Sequence, residues 1–232
     1  MKNHKVAIKA ALPHTLPILS GYIVLGSAYG ILMNSKGIPL FWTLFSSIFI
    51  YAGSMQFVTV ALLTSGFDLA GAFMMTIMVN ARHLFYGISF LQKFSNMGRI
   101  KPYLIFSLTD ETFSVLCDVT PPKDVSTKWF YFYISLLNHI YWISGSIIGG
   151  ILGGVLKLET RGLEFVLTAL FVVIFISQWK SVKNHIPAII GVISSLICRL
   201  IFDTNDFIIP SMILILLTIT LIKEPIERRG LK

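Results

Sequence analysis

The sequence predicts an all-α fold, a polytopic transmembrane helix bundle, and its composition points to this class in two ways. Of the 232 residues, 55% are apolar and only 13% are charged, whereas soluble domains average about 25% charged residues. The mean hydropathy is +0.77. Because a membrane-crossing helix needs about 20 apolar residues, the chain has room for about seven or eight membrane segments. We therefore expect residues 1–232 to form a single integral membrane domain.

The net charge of +8 fits a membrane protein, because most basic residues flank the apolar runs. Such flanks follow from the tendency of Lys and Arg to remain on the cytoplasmic side. We therefore expect a multi-pass protein of the cytoplasmic (inner) membrane, in contact with lipid and without a nucleic-acid partner. The flanking residues include Lys2, Lys5, Lys9, Arg228, Arg229 and Lys232.

The first apolar run, residues 15–33, is predicted to be an uncleaved membrane span. It is longer than the apolar region of a signal peptide, and no A-x-A cleavage pattern closes it. Gly26 and Gly30 form a GxxxG step, which lets two helix backbones approach closely. Residues 36–39 end the helix with a glycine and a proline.

The next three runs include two irregular segments. The second run, residues 41–63, is interrupted by small residues at 51–56, which predicts a kink or a broken helix of the kind found in transporter binding sites. A turn at 65–68 leads to the third run, residues 69–91. The fourth run, residues 103–117, is short for a full span, so it is either tilted or re-entrant.

The second half of the chain is more regular. The fifth run, residues 129–156, ends in a ladder of glycines suited to helix packing. Residues 162–179 are apolar on all sides and are expected to face both lipid and core. The runs at 186–202 and 207–222 complete the set, with a tight turn between them.

The orientation of the chain is left open by its charges. If every run crosses once, both termini are cytoplasmic, but the loop with Lys93, Arg99 and Lys101 then faces outward. That arrangement contradicts the positive-inside tendency. A re-entrant or half-length segment before this loop would remove the conflict.

Asn80, Arg82 and His83, three polar residues inside the third run, are the most informative feature of the sequence. Charged side chains in a membrane cost about 2.5–3.5 kcal/mol on insertion scales and mark functional sites by default. On a helix, Asn80, His83 and Tyr86 recur every three residues along one face. Arg82 lies beside them, where its guanidinium suits a substrate carboxylate. The structural alternative is an ion pair that locks Arg82 to another helix.

Asp110 and Glu111 are the natural partners for such an arginine. One arginine neutralises one carboxylate, and adjacent side chains point about 100° apart on a helix. Burial disfavours the charge of the carboxylate that is left unpaired, so the two residues are candidates for proton coupling. The alternative is that both lie hydrated at a loop edge.

Gln56 and the neighbouring Gly53 are further candidates for substrate binding, although an interhelical hydrogen bond is the common fate of a buried glutamine. Asn138 and His139 are weaker candidates that suit helix packing. Neither cysteine has a metal-ligand spacing, so no metal or cofactor is predicted. No protease motif is present either, which argues against an enzyme.

Taken in order, these motifs resemble the AzlC family. The resemblance covers essentially the whole chain, and its specific motifs lie in the first half. Ser54 and Met55 depart from it, because small residues are expected there. The matching motifs are Gly26-xxx-Gly30, Tyr51-Ala52-Gly53-Ser54-Met55-Gln56-Phe57, Asn80-Ala81-Arg82-His83-Leu84-Phe85-Tyr86-Gly87 and Asp110-Glu111-Thr112-Phe113.

The resemblance implies a membrane permease that exports branched-chain amino acids, such as leucine, isoleucine and valine, together with a small hydrophobic AzlD subunit. We expect a secondary, proton-coupled transporter, because the chain has no GxxxxGK[ST] motif for ATP binding. A channel-like passive pore for a small solute is the alternative. The predicted substrate-binding residues are Gly53, Gln56, Asn80, Arg82, His83 and Tyr86, and the predicted proton-coupling residues are Asp110 and Glu111.

Overall fold

The structure is a computed structural model, and all regular structure in its described residues is helical. The chain divides into two compact units, Met1–Leu167 and Thr168–Lys232, which are described separately. The turns predicted at 65–68 and 203–206, and most of the run at 162–179, lie outside the described residues. The described residues are 2–64, 69–156, 169, 172, 175–176, 179–180, 184–202, 207, 210–211, 213–215 and 217–222.

In the first unit, the helices match the apolar runs, and two runs are each divided into a pair of helices. On length and apolar composition alone, the first and last of these helices qualify as membrane spans. The elements are α1 (Lys2–Ser35), α2 (Leu40–Phe49), α3 (Gly53–Thr64), α4 (Leu69–Ser89), a 3₁₀ turn (Gly98–Ile100), α5 (Lys101–Phe106), α6 (Asp110–Asp118) and α7 (Thr127–Leu156).

Helices α1 and α7 are parallel neighbours and form the centre of the unit. His4 Nδ1 lies 2.8 Å from the Tyr133 hydroxyl near the start of both helices. Further along, the Ser27 hydroxyl donates to the Gly145 carbonyl over 3.2 Å. Since residue numbers rise together in both helices, the pair has a near end, at the two helix N-termini, and a far end at the two C-termini.

The predicted glycine packing is confirmed at the seam between α1 and α7. A Cβ on Gly26 would lie 2.9 Å from the Ser146 nitrogen. A Cβ on Gly149 would overlap the Ser27 carbonyl group. These backbones therefore approach more closely than any side chain allows, as GxxxG packing requires.

The interruption predicted in the second run is a reversal of the chain, so that α2 and α3 form a hairpin, hairpin 1. Its tip is residues 50–52, where Tyr51 has a φ of 45°. Gln56 Nε2 on α3 lies 3.3 Å from Ser46 Oγ on α2. In one continuous helix, ten residues would span about 15 Å. Both arms therefore lie on the same side of the tip.

Hairpin 1 enters from the far end. The base of α2 is at that end, where Leu40 packs against Gly150. The tip lies deeper, because the Tyr51 ring stacks on His139 with a centroid distance of 4.1 Å. The α3 arm returns toward the far end, so this segment does not pass along the whole length of α1 and α7.

Helices α5 and α6 form hairpin 2, which enters from the near end. Leu104 on α5 and Leu116 on α6 lie in one buried cluster with Ala11 and Phe130, close to the N-termini of α1 and α7. The tip, residues 107–109, reaches the middle of α1. The short run that was predicted to be tilted or re-entrant therefore folds back on itself as a hairpin, which is the shape of a re-entrant segment.

Helix α4 runs from the far end to the near end and passes both tips. Phe90, which follows α4, joins the buried cluster at the near end. The loop after it lies beside the start of α7, with Gly98 close to the Lys128 amine. Because hairpin 1 returns to its own end, this basic loop lies at the same end as the chain's N-terminus. The cationic residues at the near end include Lys5, Lys9, Lys93, Arg99, Lys101 and Lys128.

The second unit contains α8 (Ile186–Ile201), which matches the predicted run at 186–202. Pro187 lies in its first turn, where a missing N–H costs nothing. Just before it, His185 stacks on Trp179 with ring centroids 4.1 Å apart. Residues 213–215 and 217–222 are also helical.

Candidate functional site

Arg82 joins the two hairpin tips. Its Nε lies 3.1 Å from Asp110 Oδ1 at the start of α6. Its Nη2 donates to Ser54 Oγ at the start of α3, over 2.6 Å. The Nε contact is an ion pair without hydrogen-bond geometry. The structural alternative for Arg82, an ion pair to another helix, is thus the arrangement observed.

Asp110 has a second partner, a hydrogen-bond donor, on the same helix as Arg82. The Tyr86 hydroxyl donates to Asp110 Oδ1 over 2.8 Å, and its ring stacks on Phe113 with centroids 4.2 Å apart. Arg82 and Tyr86 are four residues apart, so they present one face of α4 to the tip of hairpin 2. Together these contacts fix the orientation of the Asp110 carboxylate.

Glu111 has different partners from its neighbour. The Tyr22 hydroxyl on α1 donates to Glu111 Oε2 over 2.8 Å. The same hydroxyl lies 2.6 Å from Thr109 Oγ1, and Thr109 in turn caps α6 by accepting from the Thr112 N–H. The structure therefore separates the two carboxylates: Asp110 meets the arginine, and Glu111 meets neutral hydroxyl groups.

Gln56 is completely buried and fully engaged within hairpin 1 and α7. The Trp142 Nε1 donates to its side-chain oxygen over 2.9 Å. Its Nε2 lies within 3.4 Å of Ser46 and Ser47. Gly53 packs on the same indole, since a Cβ there would lie 3.1 Å from the Trp142 ring. Both residues hold the tip of hairpin 1 against α7.

His139, a weak candidate by sequence, connects both hairpins to α7. Its Nε2 lies 3.1 Å from the Ser47 carbonyl oxygen of hairpin 1. Its Nδ1 lies 3.1 Å from the Tyr103 hydroxyl of hairpin 2. With the stacking on Tyr51, this histidine is a buried structural junction. The neighbouring Asn138 donates to Thr112 of hairpin 2 over 3.1 Å.

An open cavity of about 580 Å³ lies between the two tips and α4, and its lining residues Leu84, Ile88 and Leu91 are more than half exposed. This volume falls within the range of about 300–1,000 Å³ that is usual for small-molecule sites. Asn80 and His83 contribute its polar lining, and the buried Asn80 side-chain oxygen has no hydrogen-bond partner among the described residues. Its apolar lining includes Ile50, Leu84, Ile88, Leu91, Ile105 and Leu108.

The predicted site residues therefore fall into four groups. Asn80 and His83 line the cavity; Arg82, Tyr86 and Asp110 form the ion-pair cluster beside it. Gly53 and Gln56 pack on α7, and Glu111 faces α1. Within the described residues, no group of three His, Cys, Asp or Glu side chains has the arrangement of a metal site.

Ser54, Tyr22 and Tyr51 contribute to the site without having been predicted. Nothing distinguishes a tyrosine on α1 as the partner of a charge far away in sequence. Tyr51 and Ser54 lie within one of the quoted motifs, at the predicted helix break around Gly53, and that break was the available signal.

Comparison with known proteins agrees with the resemblance to the AzlC family that the sequence motifs indicate. The sequence pattern of the family described as "AzlC protein" matches residues 17–156. The branched-chain amino acid transport protein AzlC of Bacillus subtilis is 46% identical over 222 residues, which cover 96% of this chain and 87% of that protein. No solved structure matches the chain.

Two further relatives are described as membrane proteins. An uncharacterized membrane protein of Helicobacter pylori is 41% identical over 221 residues, which cover 95% of this chain and 97% of that protein. The inner membrane protein YgaZ of Escherichia coli is 30% identical over 175 residues, which cover 72% and 71% of the two chains. These similarities extend beyond the motifs of the first half.

Proposed function

The chain belongs to the AzlC family, and on that premise we propose that it exports branched-chain amino acids across the cytoplasmic membrane. We propose a secondary, proton-coupled transporter that acts with a small AzlD-like membrane subunit. The substrate class follows the name of the Bacillus subtilis relative, a branched-chain amino acid transport protein. The cavity between the two hairpin tips is the observation in this chain that supports a transport site.

The lining of this cavity suits an amino acid with a branched apolar side chain. Its walls are mainly aliphatic, so burial of a substrate side chain there is favourable by about 25 cal/mol per Å². Asn80 and His83 supply the hydrogen-bonding groups on one wall. The Asn80 side-chain oxygen, which accepts no hydrogen bond from the described residues, is an acceptor for a donor such as an ammonium group.

The ion-pair cluster defines what the substrate carboxylate must displace. Arg82 already contacts Asp110, so a carboxylate that binds Arg82 competes with Asp110 for the same guanidinium. Among the described residues, no cation pairs with Glu111, which is held by the Tyr22 hydroxyl. We propose that Glu111 is the residue that exchanges protons and that Asp110 controls the availability of Arg82.

The cavity can be blocked without disturbing the packing around it. A Cβ on Gly87, which lines the cavity, would meet no atom within 4 Å. We expect Gly87→Leu to remain folded and to lose export of labelled valine from preloaded cells. Gly21→Leu is the matched control, because Gly21 also has open space but lies on α1 away from the cavity lining.

The measurement is performed in cells that carry the chain with and without its small partner. The proposal is supported if valine export depends on the wild-type chain, is lost in Gly87→Leu and is kept in Gly21→Leu. Normal export in Gly87→Leu would remove the cavity as the transport route. Valine efflux that does not change when the chain and its partner are present would remove the substrate assignment.

A further inference from the structure

We infer that the first unit contains an inverted repeat, in which α1 with hairpin 1 and α4 with hairpin 2 are two copies of one element. The two tips then act as alternate gates on the cavity between them. The gating part of this inference rests on the proposed transport function; the repeat itself does not. The copies cover residues 12–64 and residues 69–118.

Sequence positions recur at a constant spacing between the copies. Tyr29-Gly30-Ile31 on α1 reappears 57 positions later as Tyr86-Gly87-Ile88 on α4. Phe49, the last residue of α2, and Phe106, the last residue of α5, have the same spacing. The first residues of α3 and α6 are also 57 positions apart. The same spacing of 57 residues therefore aligns α1 with α4, the end of α2 with the end of α5, and the start of α3 with the start of α6.

The equivalent tyrosines make similar contacts, although their partners are not themselves 57 positions apart. Tyr29 packs on Phe57 of hairpin 1 with ring centroids 5.6 Å apart, and its hydroxyl lies 2.6 Å from Ser46 Oγ in the same hairpin. Tyr86 packs on Phe113 of hairpin 2 and donates to Asp110 at its tip. In each copy, a tyrosine on the long helix holds the hairpin that follows it.

The two copies run in opposite directions. Helix α1 runs from the near end to the far end and is followed by a hairpin that enters from the far end. Helix α4 runs from the far end to the near end and is followed by a hairpin that enters from the near end. This arrangement is an inverted-topology repeat, and in transporters such repeats place the substrate site at their interface, near the middle of the membrane.

The contacts at the centre connect the tips to each other and to a common support. The Tyr51 and Phe106 rings of the two hairpins lie 6.2 Å apart. Arg82 donates a hydrogen bond to the start of α3 and forms an ion pair with the start of α6. Each hairpin also bonds to α7, through Gln56 and through Thr112. The glycine seam fixes α7 to α1, so the hairpins are the elements that can move against a rigid pair.

The charges identify which gate faces which side. The basic residues at the near end make it the cytoplasmic end by the positive-inside tendency. Hairpin 2 therefore enters from the cytoplasm and hairpin 1 from the outside. Separation of hairpin 2 from α4 opens the cavity inward and breaks the contact between Arg82 and Asp110. Separation of hairpin 1 from α4 opens it outward and breaks the contact between Arg82 and Ser54.

The first test concerns the repeat alone and uses single cysteines in a full-length chain with Cys117 and Cys198 replaced by serine. We expect Ser35→Cys and Thr64→Cys to react with a membrane-impermeant thiol reagent only from outside. Lys101→Cys should react only from the cytoplasmic side. Labelling of Ser35→Cys and Thr64→Cys from opposite sides would show that α2 and α3 cross the membrane and would overturn the repeat.

The second test concerns the gates. Tyr51→Cys and Phe106→Cys, combined in the same cysteine-free chain, should be joined by a short bifunctional thiol reagent, with loss of valine export. Cleavage of the cross-link should restore export, and each single variant treated alike should keep its own untreated rate. Full export from cross-linked protein would overturn the gating role. Because the labelling test needs no substrate, failure of the substrate assignment is distinguishable from failure of the repeat.

Discussion

The contact between Arg82 and Asp110 can be tested by removal of each charge alone and of both together. Arg82→Gln and Asp110→Asn both keep a polar side chain, and the double variant removes the pair. Arg99→Gln is the matched control, because Arg99 is an exposed arginine in the basic loop at the near end. The experiment asks whether Arg82 stabilises the fold, binds the substrate or does both.

The expected size of the effect follows from the geometry. At the observed 3.1 Å, the attraction between unit charges is about 5 kcal/mol for an effective dielectric constant of about 20. The side chains are 27% and 20% exposed, so solvent screens part of it and desolvation offsets more. Loss of one partner should cost about 2 kcal/mol, between the values for exposed and buried pairs. The coupling energy of the pair should be about 1–2 kcal/mol.

The assay combines stability and transport. Unfolding in detergent is measured for the wild type, the two single variants, the double variant and the control, and valine export is measured in parallel. We expect each single variant to be destabilised and the double variant to be more stable than the sum predicts. If Arg82 also binds the substrate carboxylate, export fails in Arg82→Gln and is not recovered in the double variant.

The outcome that refutes this reasoning is additivity. If the two substitutions add to within about 0.5 kcal/mol, they behave as independent sites, and the ion pair does not stabilise the junction of the tips. Destabilisation by Arg99→Gln of the same size would show that any lost arginine charge has this effect.

Three further predictions concern the glycine seam, the buried Gln56 and the proposed proton-exchanging residue Glu111. Gly149→Ala should lose about 2 kcal/mol or more of stability by overpacking, measured by thermal unfolding, whereas Gly21→Ala on open helix surface should be neutral or stabilising. Gln56→Ala should cost about 2–3 kcal/mol in the same measurement, because it leaves the Trp142 N–H buried and unpaired; an unchanged melting temperature would contradict this. Glu111→Gln should abolish accumulation driven by a pH gradient yet retain substrate exchange, while the exposed Asp118→Asn should behave as wild type.

Much of the architecture was predictable because it depends on composition and local spacing. The apolar content indicated a helical membrane protein, and the relatives are membrane proteins too. The glycine steps indicated close helix packing, which the α1–α7 seam confirms. The argument that one arginine serves only one of two adjacent carboxylates also agrees with the geometry, in which Asp110 contacts Arg82 and Glu111 does not.

The reversal at Tyr51 was not predictable in the same way. Residues 41–63 are apolar and long enough to cross a membrane, so the pattern alone fits a kinked span as well as a hairpin. The direction taken after Tyr51 depends on tertiary contacts, chiefly its stacking on His139 and the bond between Gln56 and Trp142. These partners lie about 90 residues away, beyond the reach of any local pattern.

The seam between α1 and α7 also constrains the order of events during synthesis. The first helix is complete at Ser35, but the partner for its glycine face is complete only at Leu156. At translation rates of about 5–20 residues per second, α1 waits roughly 6–24 s for α7. Within this interval the hairpins are completed at Thr64 and at Asp118, before the helix on which their tips rest is made. A nascent chain that stops before α7 should therefore be cleared by membrane proteases, and insertion factors that shield small-residue faces should matter most in this window.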